Sequence, residues 1–169
     1  MKPSMQTKSK LARRIVSAVV LLTVAVALAQ AGSDRTASGD AIVKAVLETN
    51  AKMTKASNSL DIDAFFAYIV DSDQCVIIQN GKVFKTRQEA LEAVKRGTLG
   101  LTKVDRQFDN PQVTVISPDV ALLASEGTVT ATLSDGQTRE SRFAVSLIFV
   151  RRDGQWKVLH GHYSVPVRM

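Results

Sequence analysis

The 169-residue sequence is poor in thiol and imidazole: it has one cysteine and two histidines. A single cysteine, Cys75, makes no internal disulfide, so the fold has no covalent staple and depends on its core. Its setting, Gln74-Cys75-Val76-Ile77-Ile78, suits a buried structural thiol rather than a reactive one. No repeat or low-complexity tract occurs, and no linker follows residue 39, so one domain with a short appendage accounts for the length. No serine lies in a G-x-S-x-G turn, which argues against a nucleophile-elbow hydrolase. Beyond the first 31 residues there is also no basic stripe. The net charge is +6, and Lys2, Lys8, Lys10, Arg13 and Arg14 supply five of the cations. The remainder has 17 basic against 16 acidic side chains, a balance of +1, so nucleic acid is not implied as a partner.

The front of the chain reads as an address. Those five cations precede an uncharged run, Ile15 to Ala31, which closes on two A-x-A patterns, Ala27-Leu28-Ala29 and Ala29-Gln30-Ala31. This is the order of a secretory signal peptide over residues 1–31, cleaved after Ala29 or Ala31. The alternative is a leader kept as an anchor, although a spanning helix needs about 20 apolar residues. No cysteine follows the run, which speaks against a lipoprotein. The expected protein is periplasmic or secreted, and touches a membrane only through its leader during export. Residues 32–39 are a small, polar lead-in, and residues 40–169 are the domain.

Within the domain the apolar pattern changes from helical to extended. Ile42, Val43, Val46, Leu47, Asn50, Met53 and Thr54 recur at three and four, which predicts a helix over 40–57. Asp61 caps a short second helix, and Thr86-Arg-Gln-Glu89 is a capping box that opens a third. Two short strands joined by Asn80-Gly81 lie between them. From Leu101 onward the chain is strand only, turning at Pro118-Asp119, Asp135-Gly136 and Asp153-Gly154. The order α-α-β-β-α-β-β-β-β means α+β. Strands of ~13 to 17 residues exceed the usual ~5 to 6. Bulges expected at Asn110-Pro111 and Gly127 should curl such a sheet around the helices and leave a conical cavity, the default place for a small-molecule site.

The last strand carries the chemistry. Regular alternation puts Trp156, Val158, His160, His162 and Ser164 on one face, and Lys157, Leu159, Gly161, Tyr163 and Val165 on the other. Two imidazoles near neutral pKa suit a general acid and base. They equally suit the polar wall of a pocket. As zinc ligands they need two more, and nothing in the spacing selects Glu126 or Asp109. Neither a metal nor a cofactor is expected. Tyr68 offers a hydroxyl to a ligand or an amphipathic contact to the core.

The element order, the ending Trp156-x-x-x-His160-x-His162-x-Ser164 and the preceding Arg151-Arg152-Asp153-Gly154 resemble the SnoaL-like or DUF4440 branch of the NTF2-like superfamily. The closing phrase is also similar to the association domain of calcium/calmodulin-dependent kinase II. The resemblance spans about residues 38–167. It implies a cone-shaped α+β fold, a bent antiparallel sheet wrapped around N-terminal helices. It also implies a central cavity toward which His160, His162 and Ser164 point, with Arg142 and Ser146 beside them on the adjacent strand. Where ketosteroid isomerase has its general-base carboxylate, this chain has Val76-Ile77-Ile78-Gln79, and Asp71 and Asp73 fall in the turn before. The favoured expectation is therefore binding of a small, partly apolar ligand. The alternatives are an isomerase or dehydratase-like enzyme using His160 or His162, and an assembly module with a vestigial pocket. Apolar residues on both faces of the strand holding Phe143 to Val150 lead us to expect a homodimer through the outer sheet face.

Overall fold

The computed structural model describes residues 38–166; the expected signal peptide and most of the lead-in, like residues 167–169, lie outside the described residues. Residues 38–58 form α1. Val46, Thr49, Asn50, Met53 and Ser57 make its buried line, at helical spacing but with polar members among the apolar ones. Leu60, with φ 57°, reverses the chain. Asp61 then caps α2 (Ile62–Phe66) by accepting from the Ala64 backbone N–H at 2.9 Å. The capping box works as the sequence predicts: Thr86 accepts from the Glu89 N–H at the start of α3 (Arg87–Gly97). Glu89 reaches back one residue further than usual, to the Lys85 N–H. Among the described residues no helix is long and apolar enough to cross a membrane.

The strands are β1 (Val76–Gln79), β2 (Lys82–Phe84), β3 (Leu101–Ser117), β4 (Val120–Leu133), β5 (Thr138–Arg152) and β6 (Gln155–Ser164). Asn80-Gly81 and Asp153-Gly154 all adopt positive φ, as two-residue hairpin turns require. The sheet order is β2-β1-β6-β5-β4-β3. Its neighbours are antiparallel except β1 and β6, which run parallel, so the sheet is mixed rather than wholly antiparallel as expected. No hairpin joins β1 to β6, so no tight turn constrains their direction. The fold is thus α+β with a curved, unclosed sheet, as the cone expectation requires.

Curvature enters through irregular register. β3 shifts against β4 between Asp109 and Gln112, at the predicted Asn110-Pro111, where Asn110 has φ 48°. Gly127, expected as a bulge, stays in register with both Phe108 and Phe143. It is glycine for a different reason: a Cβ there would collide with the Gln107 carbonyl and the Phe143 ring. The core lies between the inner sheet face and the helices. Phe66, Leu123, Leu147, Phe149 and Val158 are fully buried there, each worth about 1.5–3 kcal/mol. Cys75 joins them, its thiol pushed up by burial, with the Arg87 guanidinium opposing and Asp71 adding to the rise.

Candidate functional site: a cavity under the inner sheet face

A partly enclosed cavity opens among α1, α2, α3 and the inner side of β1, β3 and β6. Its volume is about 60 Å³. Its wall is mainly apolar: Met53 from α1, Ile62, Phe65 and Phe66 from α2, then Ile69, Ile77, Val94 and Val158. Four polar residues interrupt it, Ser57, Gln79, Arg106 and Tyr163. Among the described residues the lining contains no histidine, aspartate or glutamate.

Arg106 is held in place from both ends. Asn58, at the end of α1, accepts from the Arg106 backbone N–H at 2.8 Å and donates to its carbonyl at 3.2 Å, which fastens the helix to β3. The guanidinium lies 5.6 Å from the centroid of the Phe143 ring and 5.9 Å from that of Tyr163. Phe143 is itself wedged edge-on against Phe108 at 5.3 Å, in the space that Gly127 leaves empty. Such stacking stabilises a cation by about 0.5–2 kcal/mol and leaves its in-plane N–H groups free for other partners. Nε of Arg106 is buried and has no hydrogen-bond partner. Burial pushes the Tyr163 phenol up from its ordinary value, with the Arg106 guanidinium opposing. At neutral pH this hydroxyl is a donor.

The histidines are elsewhere. The expected common face of Trp156, Val158, His160 and His162 is broken by a bulge: Phe149 pairs with Val158 and Ile148 with His160, which leaves Leu159 without a β5 partner. One extra residue reverses the alternation. Trp156 and Val158 point inward, and so do Gly161 and Tyr163, opposite the buried Leu147 and Val145. His160, half-buried, sits on the outer face between Ile148 and Val76. His162, exposed, sits between Ser146 and Ile78. Ser164 is opposite Ala144 and donates weakly to its carbonyl at 3.4 Å. Arg142 is also outside, paired with Asp109 and Glu126 at 3.0 Å each, so both carboxylates weighed as metal ligands are engaged. Arg142 and Ser164 meet at a shallow depression of the outer face. Tyr68 packs on the core cluster and does not line the cavity, while its carbonyl accepts from the Val158 N–H. Among the described residues no group of three or more His, Cys, Asp or Glu is placed to hold a metal.

Regular alternation in the sequence puts Tyr163 on the outer side, which hides the cavity's polar residues. Gly161 was the available signal. A Cβ there would press on Leu147 and Ile77 at 3.2 and 3.3 Å, so glycine marks the crowded, inward position. Arg106 had a weaker signal: it lies between Val104 and Phe108 at period two, a cation in an inward row.

The fold recurs widely. A candidate scytalone dehydratase from Novosphingobium aromaticivorans superposes with a TM-score of 0.71 at 12% identity, over 78% of this chain and 89% of that one. An NTF2-like superfamily protein from Salmonella enterica gives 0.69 at 18% identity, over 77% and 94%. A candidate calcium/calmodulin-dependent protein kinase II association domain from Xanthomonas campestris gives 0.59 at 18%, over 75% and 87%. At such identities the likeness concerns the fold. No curated protein matches the sequence. Residues 46–168 match the SnoaL-like domain, most of the chain, and the protein therefore belongs to the SnoaL-like domain family, with a fold like that of NTF2-like proteins.

Proposed function

We propose that this protein binds a small, partly apolar ligand in the cavity beneath β1, β3 and β6, and that it does so without acid–base catalysis there. The observation that carries the reading is the lining: an apolar wall with four polar groups and no histidine or carboxylate. Pockets of that composition bind by apolar burial and use the few polar groups for orientation. The small volume favours a compound well below drug size, since one ordered water already needs about 10–15 Å³ by the same measure. The rival reading, an isomerase or dehydratase-like activity with His160 or His162 as base, would have to take its substrate on the outer face. The test is a thermal-shift screen of small apolar-tailed compounds, repeated on Met53→Trp, which fills the cavity, and on His162→Ala. A bound ligand stabilises by RT ln(1 + [L]/Kd). We expect the shift to vanish in Met53→Trp and to persist in His162→Ala. The opposite pattern would move the site to the outer face and reject this reading.

Two further properties are proposed with it. Export rests on the order of cations, apolar run and A-x-A patterns in residues 1–31, and N-terminal sequencing that returned Met1 from the exported protein would reject it. A homodimer through the outer sheet face rests on Val76, Ile78, Leu122 and Ile148, which lie in adjacent rows there with partial exposure.

A further inference from the structure

We infer that the polar end of the ligand is an anion, a carboxylate or its equivalent, received by Arg106 with Tyr163. The inference rests on the cavity being a ligand site and adds the class of ligand. Burying a cation without a counter-charge is unfavourable. Arg106 nevertheless forms no ion pair among the described residues, and its Nε is buried with no partner. The other arginines near carboxylates are paired: Arg87 with Asp71, Arg96 with Glu92, Arg142 with Asp109 and Glu126, Arg151 with Asp119. The pattern leaves one guanidinium in a cavity whose lining supplies no negative charge.

The surroundings also favour an anion over a neutral carbonyl. The Phe143 and Tyr163 rings lie 5.6 and 5.9 Å from the guanidinium, and with the Asn58 contacts at the Arg106 backbone they reduce the freedom still to be lost when a planar carboxylate meets the fork edge-on. The Tyr163 hydroxyl, protonated at neutral pH like any tyrosine, adds a donor to the same lining. The apolar wall from α1 and α2 then receives the rest of the molecule. A volume of about 60 Å³ corresponds to a few water-sized groups, which points to a short-chain monoacid.

The experiment uses the purified chain with butanoate and with butanamide, its neutral isostere, followed by titration calorimetry and thermal shift. We expect butanoate to bind at least tenfold more tightly than butanamide. Arg106→Gln should remove that preference and leave the amide unaffected. Arg106→Lys keeps the charge but loses the fork, and should lose at least fivefold in butanoate affinity. It serves as the second variant if Arg106→Gln fails to fold. Tyr163→Phe, which keeps the ring, should lose about threefold. Equal binding of acid and amide, or acid binding indifferent to Arg106→Gln and Arg106→Lys, would overturn the anion assignment and leave the cavity reading standing. If the folded chain binds neither short acids nor neutral compounds in the wider screen, both readings fall. Butanoate binding that survives Met53→Trp would show an adventitious surface site and likewise overturn the assignment.

Discussion

A single missing side chain organises the site. Gly127 leaves the slot that Phe143 enters, and Phe143 supports the guanidinium of Arg106. Gly127→Ala puts a methyl against the Gln107 carbonyl, which belongs to a paired strand and cannot swing aside as a side-chain tip would. We expect a loss of at least about 2 kcal/mol in urea unfolding, within the usual range for overpacking. A change under about 0.5 kcal/mol would mean that β3 yields there. Two buried acids set the alkaline behaviour. Cys75 and Tyr163 both have pKa values raised from ordinary values of 9.0 and 10.0. In each case the unfolded chain ionises first as pH rises, so the stability is whole below the ordinary value and is lost as pH climbs through the raised one. Stability should hold through neutral pH and decline from about pH 9 upward. Tyr163→Phe should flatten the part above about pH 10, read as the urea midpoint against pH.

At the scale of elements, turns and caps were legible and one register was not. Asp61, Thr86 with Glu89, Asn80-Gly81 and Asp153-Gly154 act locally, so their chemistry is written within four residues of chain and the structure repeats it. The helix count, the strand order along the chain and the break at Asn110-Pro111 follow from the same signals. The bulge at Leu159 has only an indirect local signal, the crowded glycine at 161. It sits where β6 changes partner: Val158 exchanges hydrogen bonds with the Tyr68–Val70 segment, while His160 to Tyr163 pair with β1. Tertiary pairing therefore decided which half of β6 faced inward, and the histidine pair went outside with it. Deleting Leu159 tests this directly. Without the extra residue, regular alternation carries Val158 inward, His160 outward and Gly161 inward, the facing the strand already has, with Phe149–Val158 and Ile148–His160 as successive pairs. The deletion should therefore fold and cost less than about 2 kcal/mol in urea unfolding. A variant that failed to fold would show that the bulge itself, and not the pairing around it, holds the strand in place. Thr86→Ala should cost about 1 kcal/mol, the usual loss for an N-cap.

At the scale of the molecule, the proposed dimer face would bring the outer rows of His160 and His162 close to a second copy. Ile148→Lys, at the centre of those rows, should shift the protein toward monomer in light scattering at micromolar concentration and remove the dependence of its melting temperature on protein concentration. A protein already monomeric would reject the dimer. The parallel pairing of β1 with β6 reaches further. It places the last strand in the middle of the sheet, between β1 and β5. Until residues 155–164 have been synthesised, the chain holds two separate pieces: a β1–β2 hairpin beside α3, and a β3–β4–β5 meander. Each has one bare edge that only β6 can fill. Contacts between distant parts of a chain form slowly. A ribosome therefore handles an open sheet almost to residue 164, and those ten residues set the moment at which the cavity first exists.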